Sequence, residues 1–173
     1  MNRNHFSLIA AAAAILLSSV SSDAAPLPQH NRGPCADAKH RQLDFWIGRW
    51  NVFDRKGKLV AHSLIEPVYG CGIRENWMPF NNHPGGSLSI FVPEQKRWEQ
   101  FWIDSSGARV IFTGGWNGRA MVITGQWGGP LVRMTYSRNS DGSVRQLGEQ
   151  SADRGKSWKS SFDFIYRPSR GGR

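Results

Sequence analysis

Residues 97–115 read Arg97-Trp98-Glu99-Gln100-Phe101-Trp102-Ile103-Asp104-Ser105-Ser106-Gly107-Ala108-Arg109-Val110-Ile111-Phe112-Thr113-Gly114-Gly115. Two runs rich in aromatic and β-branched side chains, Arg97 to Asp104 and Ala108 to Gly115, flank Ser105-Ser106-Gly107. Such runs suit a pleated, half-buried strand, and the glycine tolerates the positive φ of a tight turn, so the stretch reads as an antiparallel hairpin. The same grammar extends in both directions. Upstream, strands are expected near Arg49 to Asp54, Leu59 to Tyr69, Cys71 to Met78 and Ser87 to Val92. Downstream they are expected near Arg119 to Gln126, Leu131 to Arg138, Val144 to Gln150 and Lys156 to Tyr166. Asp54-Arg55-Lys56-Gly57, Asn117-Gly118, Gly128-Gly129-Pro130 and Ser140-Asp141-Gly142 supply the intervening turns.

No long amphipathic stretch is available to cover an open sheet face, which favours a sheet closed on itself. A short helix is expected over Ala38 to Ile47, ended by Gly48. The expected fold is therefore all-β: an antiparallel barrel of about ten strands, preceded by a short N-terminal helix.

The N-terminal residues belong to a different class. Arg3 precedes an apolar run from Leu8 to Val20, too short to span a bilayer, and Ser22-Asp23-Ala24 offers small residues for cleavage before Ala25. Residues 1–24 read as a signal peptide, 25–41 as a Pro-rich arm, 42–167 as the barrel and 168–173 as a basic tail. The destination is the periplasm or the exterior, with no transmembrane segment in the mature chain. The two cysteines, Cys35 and Cys71, are expected to form a disulfide there, tying the arm to the barrel. The formal charge of +9 survives cleavage, because Arg3 and Asp23 leave together. An anionic envelope surface is a candidate partner for that charge. The cations are scattered rather than run together and no RNA-binding aromatic signature accompanies them, so nucleic acid is not expected.

Phe45-Trp46-Ile47-Gly48-Arg49-Trp50 resembles the opening motif of the calycin barrels, the lipocalins and their relatives, in which Gly-x-Trp enters the first strand. Three further segments extend the resemblance to an uncharacterised family of exported bacterial calycin-like domains. They are Gly70-Cys71-Gly72-Ile73-Arg74-Glu75-Asn76-Trp77, Trp98-Glu99-Gln100-Phe101-Trp102-Ile103-Asp104 and Val144-Arg145-Gln146-Leu147-Gly148-Glu149-Gln150-Ser151. The resemblance implies the barrel and no established activity. Nitrobindin, more distantly similar in architecture, holds haem through a histidine on a late strand. No histidine follows His83 in this sequence, so the haem role does not carry over. His30, His40, His62 and His83 show no HxH or HExxH spacing, so neither a metal nor another cofactor is expected.

Alternation along a strand puts Glu75 with Trp77 on one face, Gln100 with Trp102 and Asp104 on another, and pairs Arg133 with Thr135 and Arg145 with Glu149. If these faces look inward, Glu75, Trp77, Gln100, Trp102, Asp104, Arg133, Arg145 and Glu149 form a lumen for a small polar or aromatic molecule. The same groups would alternatively satisfy one another as a structural network in a filled barrel. Two other functions compete: a glycan- or ester-directed hydrolase using paired carboxylates such as Glu75 with Asp104 or Glu149, and an envelope module acting through its basic surface. Ser151-x-Asp153-x-Gly155-x-x-Trp158 fits the Asp-box hairpins of sialidase propellers, but the chain is too short for blades and the pattern reads as a local hairpin device.

Overall fold

The computed structural model describes residues 33–169. The expected signal peptide, the first part of the arm and Arg170 and Arg173 of the tail lie outside the described residues. The strands are β1 (Gly48–Phe53), β2 (Leu59–Val68), β3 (Gly72–Pro79), β4 (Gly85–Val92), β5 (Arg97–Asp104), β6 (Arg109–Trp116), β7 (Met121–Gln126), β8 (Leu131–Arg138), β9 (Val144–Ser151) and β10 (Lys159–Pro168). Each pairs antiparallel with the next, and β10 returns to β1 to close a ten-stranded barrel without a free edge. Short polar residues set the hairpins. Asp54 accepts the N–H groups of Lys56 and Lys58, Asp104 that of Ser106, Asn117 those of Arg119 and Ala120, and Asp141 that of Ser143. Each is a side chain standing in for a backbone acceptor in a turn.

The expected helix over Ala38 to Ile47 is not formed. Turns occupy this stretch and end in a single 3-10 turn, Asp44–Trp46. Its backbone bonds, such as Gln42 to Lys39, Asp44 to Arg41 and Trp46 to Leu43, all span three residues. Asp37 takes the amides of Lys39 and His40 and the His40 ring, competing with helical pairing at the start. The tighter turn delivers Trp46 into one end of the barrel, where it is fully buried against Tyr136.

That end is plugged. Trp50 donates its indole N–H to the Trp46 carbonyl at 2.8 Å, and Trp98 donates to Gln42 at 3.1 Å. Gly48 has φ +155°, and a Cβ there would lie 3.1 Å from the Trp50 indole, which accounts for the glycine in Gly48-x-Trp50. Cys35 is bonded to Cys71 in the β2–β3 turn, with Cα atoms 5.1 Å apart, anchoring the arm over the same end. Among the described residues no helix is long and apolar enough to cross a membrane.

Candidate functional site

Register decides which side chains meet inside. On β3, Ile73 and Glu75 are buried with Trp77 following on the same face, and on β5 the inner set is Trp98, Gln100 and Trp102. On β8 the inner residues are Val132, Met134 and Tyr136, and on β9 they are Val144, Gln146 and Gly148. Arg133, Arg145 and Glu149 therefore sit on the outer face, contrary to the inward placement expected for them. Outside, Arg133 pairs with Glu149 at 2.8 Å and lies 4.1 Å over the Trp158 ring, while Arg145 forks onto Asp163 through two 2.7 Å bonds. Apolar Val132 and Met134 gain more from burial than a guanidinium would, so the phase with arginine outside wins.

The inner faces enclose a cavity of about 130 Å³ toward the unplugged end. Trp77, Trp102, Trp127, Met134, Phe162 and Phe164 form its walls, and Glu75, Gln100, Tyr136, Gln146 and Tyr166 its polar floor. Trp77 stacks on Phe164 at 5.7 Å and Phe164 on Phe162 at 4.9 Å, so the walls hold one another. Gly148 makes room for this stack: a Cβ would fall 2.2 Å from Phe162 Cε1. Above lies an open mouth of about 660 Å³, bordered by Asp54, Arg55, Lys56, His83 and Asp104 and sharing the three indoles with the cavity. Asp104 is thus a mouth residue. Its partial burial is outweighed by hydrogen bonds, from Ser106 and Trp102 first, which hold its carboxyl below the usual range.

The floor is one connected hydrogen-bond chain. Tyr166 donates to Gln146 Oε1 at 2.6 Å, Gln146 Nε2 to Tyr136 at 3.1 Å, Tyr136 to Gln100 Oε1 at 3.4 Å and Gln100 Nε2 to Ser89 at 3.0 Å. At its head stands Glu75, 5% exposed, accepting from Ser63 and Ser87 at 3.2 Å each and sharing a hydrogen bond with Tyr166. Burial pushes the Glu75 carboxyl up to about 7, against the opposing effect of those hydrogen bonds. Burial first, and then the charge of Glu75, raises the Tyr136 and Tyr166 hydroxyls, so both stay protonated.

One proton on Tyr166 cannot serve two acceptors. It goes to Gln146, and the same hydroxyl links Glu75 to the chain.

No protein-family model matches the chain, and no match is found among curated proteins. Its chemistry must be read from its own geometry. Of the expected site residues, the cavity brings together Glu75, Trp77, Gln100 and Trp102. It adds Met134, Tyr136, Gln146, Phe162, Phe164, Tyr166 and Trp127, none of them among the expected site residues. The alternation Val132-Met134-Tyr136 was the available signal for β8, since an apolar phase opposite a charged phase marks the inner face. Among the described residues no group of three His, Cys, Asp or Glu side chains could hold a metal ion. Ser151 to Trp158 is a turn device: Asp153 accepts from Ser151, Ser157 and the Ser157 amide, and Trp158 donates to the Gly155 carbonyl.

Proposed function

We propose that this chain is an exported, calycin-like barrel that binds a small polar or aromatic molecule in its lumen, in the periplasm or outside the cell. One observation carries the reading: an aromatic-walled cavity of about 130 Å³ with a connected polar floor lies under an open mouth. An apolar cavity of roughly 150 Å³ holds one benzene molecule, so the ligand head is a small ring or a group of similar bulk. The aromatic walls supply contact area, and the floor orients whatever polar group enters. Export is supported by the leader-like residues 1–24 and by the closed disulfide, a bond that persists in oxidising compartments.

The hydrolase reading is the weaker one, because among the described residues Glu75 is the single carboxylate lining the cavity, Asp104 joins it only along a second, more open pocket that also holds Arg74, and Glu149 lies outside. Part of the basic exterior is taken up in ion pairs, such as Arg74 with Glu66, Arg97 with Glu99 and Arg145 with Asp163.

Native mass spectrometry of the chain purified from its own host tests the proposal. A stoichiometric adduct is expected in the wild type, lost in Trp102→Ala and retained in Arg133→Ala, whose side chain is exterior. A bare mass for the wild type, or an adduct indifferent to Trp102→Ala, would overturn lumen binding.

A further inference from the structure

Among the described residues the lumen contains a carboxyl group and no cation to match it. Among the described residues Glu75 has no ion-pair partner, and neither lysine, arginine nor histidine lines the cavity. The inward side chains around it carry no positive charge either: β2 presents Ser63, β4 Ser87, β5 Gln100, β8 Tyr136, β9 Gln146 and β10 Tyr166, while Arg133 of β8 and Arg145 of β9 point outward into their own ion pairs. Of these inward groups only the tyrosines titrate, and both remain neutral. A buried carboxylate without a partner is costly, so the site either protonates or waits for a positive charge. An anionic ligand would add repulsion, and a purely apolar one would leave the group unmatched.

The walls agree with the floor. Trp77, Trp102, Trp127 and Phe164 surround the space above Glu75, and the face of an aromatic ring attracts an organic cation, most strongly for indole. An ammonium carrying a few carbons satisfies both features at once and matches the bulk the cavity admits. Resting on the lumen-binding reading above, we infer that the ligand is a small organic ammonium ion, its nitrogen against Glu75 and its carbon substituents against Trp77, Trp102 and Phe164. Binding then stabilises the ionised state of Glu75. The cation competes with a proton for Glu75, so affinity depends on pH even for a probe with no proton of its own.

Calorimetric titration of the purified protein with tetramethylammonium, benzylammonium and neutral benzyl alcohol separates the alternatives, with tryptophan fluorescence reporting occupancy. The two ammonium probes should bind more tightly than benzyl alcohol, and tetramethylammonium affinity should rise about tenfold per pH unit below about 7 and then level. Glu75→Gln should weaken both ammonium probes by about tenfold or more while leaving benzyl alcohol nearly unchanged, the loss expected when one charge-assisted contact is removed. Trp102→Ala should weaken all three. If benzyl alcohol binds as tightly as the ammonium probes, or Glu75→Gln keeps ammonium affinity, the cation assignment fails and lumen binding stands. If no probe of either class binds, both fail.

Discussion

Replacing Glu75 by glutamine keeps the shape of the side chain and removes its ionisation, so it isolates what one buried carboxyl does to the barrel. The acid titrates near 7 when folded, against an ordinary value of 4.5 that stands for the unfolded chain. Between those values the folded state holds the extra proton. Stability from this group is therefore fully present below 4.5 and is lost as pH rises, until the folded carboxyl itself ionises near 7 and the loss levels off. At about 1.4 kcal/mol per pH unit, the decline between about pH 5 and about pH 8 comes to roughly 2 to 3 kcal/mol. Glu75→Gln lacks the decline, so the stability difference between variant and wild type should swing by that amount in the variant's favour. Urea unfolding at the two pH values measures it, and the thermal midpoints should diverge by roughly 5 to 10 °C for a domain of this size. Parallel pH profiles for the two proteins would refute the reasoning, because they would mean that Glu75 ionises as freely inside the barrel as in the unfolded chain.

Other perturbations probe the surrounding structure. Tyr166→Phe removes the hydroxyl shared by Glu75 and Gln146 and should cost about 1 to 3 kcal/mol, while moving the Glu75 titration upward in the same pH–stability profile. Cys35→Ser with Cys71→Ser opens a loop spanning a separation of 36 residues and should lower stability by about 3 to 4 kcal/mol in denaturant titration on the chain-entropy account. Hydrogen bonds from Ser157 and Ser151 hold Asp153 down to about 2, so Asp153→Asn should lower the melting temperature at neutral pH. That deficit should shrink as pH falls through about 2, where the wild-type carboxyl also loses its charge.

The barrel was legible because its signals are local. Glycine, asparagine and aspartate turns such as Ser105-Ser106-Gly107 define hairpins without reference to the rest of the chain, and the strand runs follow from them. The cysteine pair was equally legible from composition and compartment. Which way β8 and β9 face was a tertiary matter. Arg133 and Glu149 share a plausible inner chemistry, yet a shift of phase by one residue moves both outside, and the balance lies with Met134, Tyr136 and Gln146 packing against residues from other strands. Phe162, Phe164 and Tyr166 were obscured in a similar way, since their role depends on Gly148 across the sheet. The arm misled for a different reason: Ala38 to Ile47 has helix-compatible residues, but Asp37 diverts the first amides and Trp46 must turn sharply inward.

The central claim, that the lumen is a ligand site, is tested most directly by the crystal structure of the protein isolated from its own compartment without refolding. Continuous non-protein density between Glu75 and the indoles of Trp77 and Trp102, reduced in Trp102→Ala, is the predicted result. A lumen closed by collapsed side chains, or holding only ordered water in both proteins, would contradict it.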